Sequence, residues 1–415
     1  MLRARSVALF GALLALGSAA PAEAVTGQQR VLAVLATWGP TPFAAEDVRR
    51  VIFTEADTFL RRSSYGKVSL RGEVTSWLRV LPQSTGCSDE WWLDGIPTAV
   101  SVPARAAAAN RGYRLADYNR FVYVVPGSRC AFVGLGWENE VLLNGSLSPE
   151  LVVHELGHTW GLGHAGSARC ADECSLEDSG DPYSPMGRGS ADFSVYEKTI
   201  LGWTRNVATA ARARTVRIGR ADRAGKQPYA LKIETGLGAY WLEYRPQSLD
   251  MGLDGVAPGG VVLRFVNAQR DEGPLANVAV LMTSPSGRGR PAAIAGEDVR
   301  VAGVFAARFV KRVGSDAVLN FRWTDRTAPR TPDIVSPREF GSVGSTVRVR
   351  WEPAFERGSG VVSYGVTLDG GNAVVVKDEE HVFNGLAAGT HFVSVWAVDR
   401  AGNRGLAAVR RFDVG

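Results

Sequence analysis

The chain has 415 residues, of which 45% are hydrophobic and 21% are charged, a balance typical of ordinary soluble proteins. A chain of this length holds two or three domains, each with a workable core. The formal net charge is +5, and the basic residues, mostly arginine, are dispersed without a dense cluster. This pattern argues against a nucleic-acid partner.

The N-terminus has the features of a secretory signal peptide. Arg3 and Arg5 precede an apolar run over residues 7–16, and Ala22-Glu23-Ala24 is a small-x-small cleavage site. We therefore expect residues 1–24 to be removed near Ala24 and the protein to be secreted into the extracellular space. No later run is long and apolar enough to span a bilayer, so no membrane span is expected.

Strands and helices alternate in the first part of the mature chain, which indicates mixed α and β structure over residues 25–205. The predicted elements, in chain order, are strand 31–38, a helix that begins at Thr41-Pro42 and ends near Tyr65-Gly66, strand 67–77, helix 104–111, strand 120–125 and, much later, a helix from Asp192. A further helix is expected from Ser148, a natural N-cap that is followed by Pro149 at the first helical position.

Five residues of this helix and its end are spaced as HExxHxxGxxH: His154, Glu155, His158, Gly161 and His164. On a helix, His154 and His158 lie one turn apart, so both imidazoles point the same way and can bind one metal ion. Gly161 lets the chain leave the helix in a conformation that residues with a Cβ disfavour, which brings His164 round as a third ligand. The sequence therefore predicts a metal site built on a helix.

Three protein ligands are typical of a catalytic zinc site, because the fourth coordination position stays open for water. Glu155 lies beside the ligands and is the predicted general base that takes a proton from that water. The chain has only five histidines, and three of them fall in this pattern. The alternative is a buried helix whose histidines are merely hydrogen-bonded, but such a helix would not need Glu155 between them.

The four cysteines are Cys87, Cys130, Cys170 and Cys174. An even number in an oxidising compartment favours two disulfides. We prefer the pairs Cys170–Cys174 and Cys87–Cys130, because the first two lie close together beside the metal motif; the other connectivities stay open. A second, cysteine-based metal site is the rival interpretation, and it lacks a second matching pair.

Composition then shifts to short β-type segments separated by glycine-rich turns. Residues 206–325 are predicted to form an all-β domain of sandwich type, and residues 326–415 a smaller β-sandwich. The predicted strands are 215–218, 229–233, 240–244, 261–266 and 278–282 in the first domain and 347–351, 361–368, 373–376 and 391–398 in the second.

The motif, together with Met186 about twenty residues after its last histidine, resembles the metzincin clan of zinc endopeptidases. Within the clan, residues 31–203 resemble the gametolysin-like family of secreted peptidases. The blocks that carry this resemblance are SYGKVSLRGEVTSW (64–77), HELGHTWGLGHA (154–165), DPYSPMG (181–187) and YEKTILGW (196–203), with YWLEYRP (240–246) extending it weakly. The resemblance implies an α+β catalytic domain of metzincin (zincin) type, one zinc ion, and a turn at Met186 that supports the ligands from below.

The resemblance also implies a reaction and a substrate. A protein or peptide would bind as an added edge strand along the strand just before the metal helix, around residues 137–143. The loop 180–188 would border the pocket just past the scissile bond. Glu155 would hand the proton of the attacking water to the leaving nitrogen. Where some metzincins have a tyrosine after the turn methionine, this chain has Arg188, and the role of Tyr183 is open.

Residues 325–415 resemble bacterial immunoglobulin-like or fibronectin-type modules, with DRTAP (325–329) at the start and VDRAGN (398–403) near the end. Such modules space or tether enzymes at extracellular surfaces, so attachment to a cell surface or matrix is one interpretation of this part of the chain. A stabilising appendage is the other.

Two other functions stay open from the sequence. One is a non-enzymatic secreted surface-binding protein that retains a zinc ion, which leaves Glu155 without a purpose. The other is a zinc amidase that cleaves a non-protein amide of the cell wall. Calcium is a further candidate ligand, for the acidic residues Glu173, Glu177, Asp178 and Asp181, but a solvated loop is the favoured interpretation of these residues.

Overall fold

The structure of the protein, a computed structural model, describes residues 24–80, 96–127, 132–170, 174–250, 255–267, 280–282 and 291–415. The described chain is mostly β with some helices. The predicted signal peptide up to residue 23, as well as Cys87 and Cys130, lies outside the described residues.

The described helices are α1 (Ala45–Arg50), which continues through a π-helical stretch (Val51–Ala56) into α2 (Asp57–Ser63), then α3 (Ile96–Asn110), a 3₁₀ turn (Leu115–Asp117), α4 (Pro149–Thr159) and α5 (Val195–Ile200). The predicted helices are all present. The first begins at Ala45 rather than at Thr41-Pro42 and ends at Ser63, just before the turn at Tyr65-Gly66, where both residues have positive φ. The last begins after Ser194, whose side chain caps it, rather than at Asp192. None of the described helices is long and apolar enough to cross a membrane.

The first sheet contains β1 (Gly27–Thr37), β2 (Val68–Val74), β3 (Leu78–Arg79), β4 (Arg120–Val125), β5 (Gly134–Trp137) and β6 (Glu140–Asn144). Its order is β2-β1-β4-β6-β5, with β3 beside β1. The strands from β2 to β6 in this order are parallel, and β5 returns antiparallel to β6. The apolar run of β1 is buried on both faces: Val31 and Leu35 belong to one core, and Leu32 and Val34 to the other, as in central strands of parallel sheets.

The border strand of this sheet differs from the one predicted. The sequence predicts an edge strand around residues 137–143, but residues 141–143 lie in β6, between β4 and β5. The border strand is β5, because a turn with Glu138 at positive φ sends the chain back beside the sheet. The predicted position is therefore wrong by one strand, since a hairpin this short leaves little periodic signal.

Helices cover both faces of the first sheet. On one face, Val48 of α1, Leu60 of α2 and Val152 of α4 share a core with alternate residues of β1. On the other face, Ala104 and Ala108 of α3 are buried against the remaining residues of that strand. Helix α4 packs against β5 and β6, which brings the HExxH segment to the border of the sheet.

The middle of the chain contains β7 (Ser167–Cys170), β8 (Cys174–Glu177), β9 (Ala208–Thr209), β10 (Arg214–Ile218), β11 (Ala230–Thr235), β12 (Gly238–Arg245), β13 (Ser248–Asp250), β14 (Gly255–Ala257), β15 (Gly260–Asn267), β16 (Val280–Met282), β17 (Ala292–Ala293), β18 (Asp298–Val301), β19 (Phe305–Val313) and β20 (Asp316–Trp323). An eight-stranded sheet has the order β8-β7-β16-β15-β12-β11-β9, with β17 beside β15. A second sheet has the order β10-β20-β19-β18, and β13 and β14 form a hairpin. Leu263 of the first sheet and Phe309 and Phe321 of the second share one core, so the regular elements in the described part of residues 206–325 are all strands.

The eight-stranded sheet takes strands from both sides of residue 205, where the sequence predicts a domain boundary. β7 pairs in parallel with β16, with Ser167 opposite Leu281 and Ala168 opposite Met282. The hairpin of β7 and β8 follows the metal motif directly in sequence. The sheet thus connects the region of the motif to the β-rich segment, and the domain boundaries themselves stay predictions.

The C-terminal strands are β21 (Ile334–Ser336), β22 (Gly341–Val343), β23 (Val347–Trp351), β24 (Val361–Leu368), β25 (Val374–Val376), β26 (Glu380–Phe383), β27 (Gly389–Asp399) and β28 (Ala408–Val414). They form a sheet of order β21-β23-β26 and a sheet of order β22-β28-β27-β24-β25. Val349 of the first and Val366, Val395 and Phe412 of the second meet in one core. Two sheets around one core are the small β-sandwich that the sequence predicts.

Three buried carboxylates lie where this module joins the preceding β strands: those of Asp325, Glu356 and Asp399. Each of their oxygens accepts a hydrogen bond from an N–H group nearby. Arg400 of the module also pairs with Glu234 of β11 at 3.1 Å. The two parts are therefore joined by a packed contact as well as by the chain.

Candidate metal centre

Helix α4 carries the predicted motif and begins as predicted. Ser148 Oγ accepts the N–H of Leu151 at 3.2 Å, and Pro149 is the first helical residue. The apolar residues of the helix, Val152 among them, are buried in the core below the sheet. Its two histidines are half-buried, so the rigid apolar side of the helix positions them at the surface of the core.

The three histidines converge. The ring centroids of His154, His158 and His164 are 4.8, 5.3 and 4.9 Å apart, and one nitrogen of each lies within 4.8 Å of the others. Gly161, with φ of +84°, makes the turn after the helix, and its N–H donates to the carbonyl of His158 at 2.9 Å. The left-handed conformation expected of Gly161 is therefore present, and it returns His164 to the other two rings.

In each histidine, Nδ1 is hydrogen-bonded to an oxygen atom of the protein. The hydrogen bonds are His154 Nδ1 to the carbonyl of Pro185 at 2.7 Å, His158 Nδ1 to the carbonyl of Leu162 at 2.8 Å, and His164 Nδ1 to the carboxylate of Asp178 at 2.6 Å. Such partners favour the proton on Nδ1 and leave Nε2 as the electron-pair donor in every ring.

This arrangement fits a metal ion. Nε2 of His154 lies 3.1 Å from Nε2 of His158, and two unprotonated nitrogens at that distance repel one another unless a cation lies near both. Burial, together with the neighbouring imidazole of His158, lowers the pKa of His154 to about 4, and burial also lowers the pKa of His158. Both rings are therefore neutral near pH 7, which is the form that binds a metal. Three imidazoles are a donor set that suits zinc and related transition metals.

Glu155 follows the first ligand on α4, and only 4% of it is exposed. Burial raises the pKa of its carboxyl to about 8. β5 passes close by: a Cβ at Gly134 would overlap the carboxylate of Glu155, and a Cβ at Gly136 would overlap its backbone carbonyl. Glycine at these two positions lets the border strand lie directly against the helix.

Met186 packs against the middle of α4. It is fully buried, and a Cβ at Gly157 would overlap its Sδ. The carbonyl of Met186 accepts the N–H of Ala165 at 2.8 Å. The methionine turn thus contacts the helix between the two helical ligands, and its role as a support for them stays a prediction.

Tyr183 lies away from the three imidazoles. Its side chain is buried, and its hydroxyl donates to the carbonyl of Pro258 at 2.6 Å. Residues 180–186 are buried, whereas Gly187 and Arg188 are partly exposed. If the loop 180–188 borders a pocket, these last two residues are the ones that a substrate would meet.

The acidic residues considered for calcium have separate partners. The pairs are Glu177 with Arg188 at 2.5 Å, Asp178 with His164, and Asp181 with Arg264, and Glu173 lies outside the described residues. Among the described residues of this loop, the carboxylates do not converge on one point. The interpretation as a solvated loop is wrong for Asp181, which is fully buried because Arg264 neutralises it.

The predicted disulfides are not tested. The pairing of β7 with β8 puts Cys170 opposite Cys174. The side chains of both residues, and Cys87 and Cys130 altogether, lie outside the described part of the chain. Both pairs therefore stay predictions.

The structure contains a network of buried charged side chains behind the site. The sequence does not predict it. Lys198 donates to Asp192 at 2.6 Å, and both side chains are 0% exposed. Glu197 accepts a hydrogen bond from Ser184 Oγ at 2.9 Å, next to the methionine turn. The buried members are Asp181, Asp192, Glu197, Lys198, Glu243, Arg245 and Arg264. They join the turn, α5 and the β-rich segment.

In the metal-free protein, the stability advantage of Glu155→Gln over the wild type is expected to grow as pH rises from about 5 to about 8. The unfolded carboxyl ionises near its ordinary pKa of 4.5, whereas burial raises the folded pKa to about 8. In this window the folded wild type binds more protons than the unfolded chain, so it loses stability as pH rises. Urea unfolding in excess chelator at several pH values checks this, and a difference that does not change with pH would contradict it.

Comparison with known proteins identifies part of the chain. Residues 36–228 match the family model described as gametolysin peptidase M11. None of the curated proteins matches the chain. Two solved structures are similar to it: fibronectin(III)-like modules of CbhA from Clostridium thermocellum (15% identity, 20% of this chain and 94% of that chain, TM-score 0.16) and the PKD1 domain of the metalloprotease PrtV from Vibrio cholerae (17% identity, 21% and 98%, TM-score 0.17).

These TM-scores are too low to assign a fold to any part of the chain. The family match is different, because it covers the HExxHxxGxxH motif, the methionine turn and α5. It continues past residue 205 to the beginning of the β-rich segment. The resemblance found in the sequence is thereby confirmed: residues 36–228 of this chain match the gametolysin family of peptidases.

Proposed function

We propose that the protein is a secreted zinc-dependent endopeptidase of metzincin type, with His154, His158 and His164 as zinc ligands and Glu155 as general base. The observation that supports this most directly is the convergence of three imidazoles beside a buried carboxylate on the same helix. The family match supports a peptidase, and a peptidase implies a protein or peptide substrate. The all-nitrogen donor set supports zinc as the ion.

Zinc bound by the three imidazoles would supply Lewis acidity and activate a water molecule for attack on a peptide carbonyl. Glu155 takes the proton of the attacking water on its carboxylate and gives it to the leaving nitrogen. In the metal-free protein burial favours the protonated form of Glu155, and a cation bound by the neighbouring imidazoles would favour the carboxylate that accepts the proton. The acceptors on the three Nδ1 atoms keep the imidazoles oriented throughout.

β5 is the strand proposed to bind an extended substrate. It borders the first sheet, and among the described residues its outer edge has no partner strand. A peptide that pairs with this edge would extend the sheet next to α4. Gly134 and Gly136 present no side chain towards the helix, so a peptide on β5 would lie near Glu155.

Replacing Gly134 by alanine is expected to lower kcat about tenfold to a hundredfold, because the added methyl group displaces the Glu155 carboxylate from its productive position. Gly39→Ala is a matched control, since a Cβ at Gly39 meets nothing within 4 Å. Steady-state hydrolysis of a peptide, with the zinc content of each variant, checks the expectation. Equal kcat for the two variants would show that Glu155 does not need this space.

The proposed function is tested by incubating the purified mature chain with casein and with peptidoglycan, with and without a chelator. We expect cleavage of casein that the chelator abolishes and added zinc restores. A zinc amidase would release products from peptidoglycan alone, and a binding protein would cleave neither substrate.

Sequencing the N-terminus of the secreted protein tests the proposed secretion, since it should begin at Val25.

A further inference from the structure

The carbonyl that orients His154 belongs to the methionine turn. Nδ1 of His154 donates to Pro185 at 2.7 Å, so the imidazole keeps its direction only while this carbonyl keeps its place. The N–H of the next residue, Met186, donates to Ser184 Oγ at 3.1 Å. The position of the turn therefore decides where Nε2 of His154 points.

Asp181 is the residue around which this turn is built. Its Oδ1 accepts the N–H groups of Tyr183 at 2.8 Å and of Ser184 at 3.4 Å. Its own N–H donates to the carbonyl of Ala165 at 3.0 Å, and its carbonyl accepts the N–H of Arg188 at 2.9 Å. Both ends of the turn are thus bonded to Asp181, and the second carboxylate oxygen, Oδ2, is available to a residue outside the turn.

That residue is Arg264 on β15. Its Nη1 contacts Oδ2 of Asp181, and its Nε lies 3.4 Å from a carboxylate oxygen of Glu243 on β12. All three side chains are 0% exposed. Because water does not reach this pair, Asp181 depends on Arg264 to balance its charge.

A second contact joins the turn to the same strands. The hydroxyl of Tyr183 donates to the carbonyl of Pro258, just before β15, and the Tyr183 side chain belongs to a small core with Val262 and Leu281. The turn is therefore held at two points by residues that lie outside residues 25–205, where the sequence predicts the whole catalytic domain.

We propose that Arg264 is a positioning residue of the metal centre: it acts through Asp181 and the Pro185 carbonyl to fix the direction of the His154 imidazole. This inference rests on the proposed metal site and gives the β-rich segment a part in that site. The segment is then a component of the peptidase and more than an appendage that adds stability.

The test measures metal binding in the full-length mature protein. Wild type, Arg264→Met, Arg264→Lys and Tyr183→Phe are stripped of metal and titrated with Co²⁺ against a competing chelator, and the visible absorption of the bound Co²⁺ reports the ligand geometry. Arg220→Met is the matched control, because Arg220 lies in the same segment and pairs with Asp222, two residues along the chain.

We expect Arg264→Met to weaken Co²⁺ binding about tenfold to a hundredfold, as is typical when the support of a ligand is removed, and to alter the absorption bands. Arg264→Lys keeps the charge and should fall between this variant and the wild type. Tyr183→Phe loses one hydrogen bond and should weaken binding about threefold. Arg220→Met should bind Co²⁺ as the wild type does, even if its thermal midpoint falls.

The inference is overturned if both Arg264 variants bind Co²⁺ with the affinity and spectrum of the wild type. If Arg264→Met does not fold, Arg264→Lys and Tyr183→Phe decide in its place, and wild-type binding by both overturns the inference. A wild-type protein that fails to bind Co²⁺ is a different result, because it contradicts the proposed metal site itself.

Discussion

Replacing Glu155 by glutamine is expected to lower kcat for peptide hydrolysis at least about a hundredfold while zinc stays bound. Glutamine keeps the shape of the side chain but cannot accept the proton of the attacking water, and a general base contributes about 10²–10⁴-fold to the rate. The three imidazoles and their hydrogen-bond acceptors are unchanged. The measurement is kcat on a peptide substrate, with zinc content determined on the same preparation.

Glu150→Gln is the control for this experiment. Glu150 lies in the first turn of α4, one turn before His154, so the same chemical change is made on the same helix without altering a residue of the HExxH segment. Its activity should stay near that of the wild type. If Glu155→Gln keeps more than about a tenth of the wild-type kcat, the proton must go to another group. If it loses zinc, Glu155 contributes to the metal site itself.

Replacing Lys198 by methionine is expected to lower the free energy of unfolding by about 3–5 kcal/mol, the range measured when one partner of a buried ion pair is removed. Lys198 Nζ lies 2.6 Å from Asp192 Oδ2 and also donates to the carbonyl of Ala221 at 2.6 Å. Ser63 Oγ contacts the other oxygen of Asp192, but this hydroxyl carries no charge. Methionine would therefore leave this buried carboxylate without the cation that is hydrogen-bonded to it, since Arg245 bonds only the backbone carbonyl of Asp192 among the described contacts. Equilibrium unfolding in urea measures the effect.

Arg61→Met is the matched control for Lys198→Met. Arg61 pairs with Asp57 at the same distance, 2.6 Å, but its side chain is 43% exposed, so the loss should be no more than about 1 kcal/mol. The double variant Lys198→Met with Asp192→Asn should recover part of the stability, because it removes the unpaired charge. Equal losses for the two single variants would show that burial of the Lys198 pair has no special weight.

The metal helix could be predicted because its signals are local. Ser148 and Pro149 mark the start of the helix, and the spacing of the histidines sets their directions within about two turns. The structure shows the same start and the same convergence. The two-sheet C-terminal module follows from equally local signals, namely short alternating strands between turns.

The buried charges could not be predicted in the same way, because a charged residue is interpreted as exposed until its partner is known. Asp181 and Arg264 are 83 positions apart, and neither has a partner nearby in sequence that reveals the pairing. The one local signal is that Arg264 interrupts an apolar strand, VVLRFV. A charge inside such a run is costly unless it is paired, so a buried partner could have been expected there, although not which one.

The pairing of distant strands could not be predicted for a similar reason. The contact of β7 with β16 involves two residue pairs, too few for a periodic signal. It depends on how the β-rich segment folds back on the loop after His164. Sequence analysis therefore places the boundary near residue 205, where composition changes, whereas the sheet continues across it.

The shared sheet has a consequence for the order of events during synthesis. A chain leaves the ribosome from its N-terminus, so the three histidines emerge well before β15 and β16. The nascent protein then holds the three candidate ligands without Arg264 or the strand that receives β7. On the role proposed for Arg264, the metal centre would reach its final geometry only after the β-rich segment has been made.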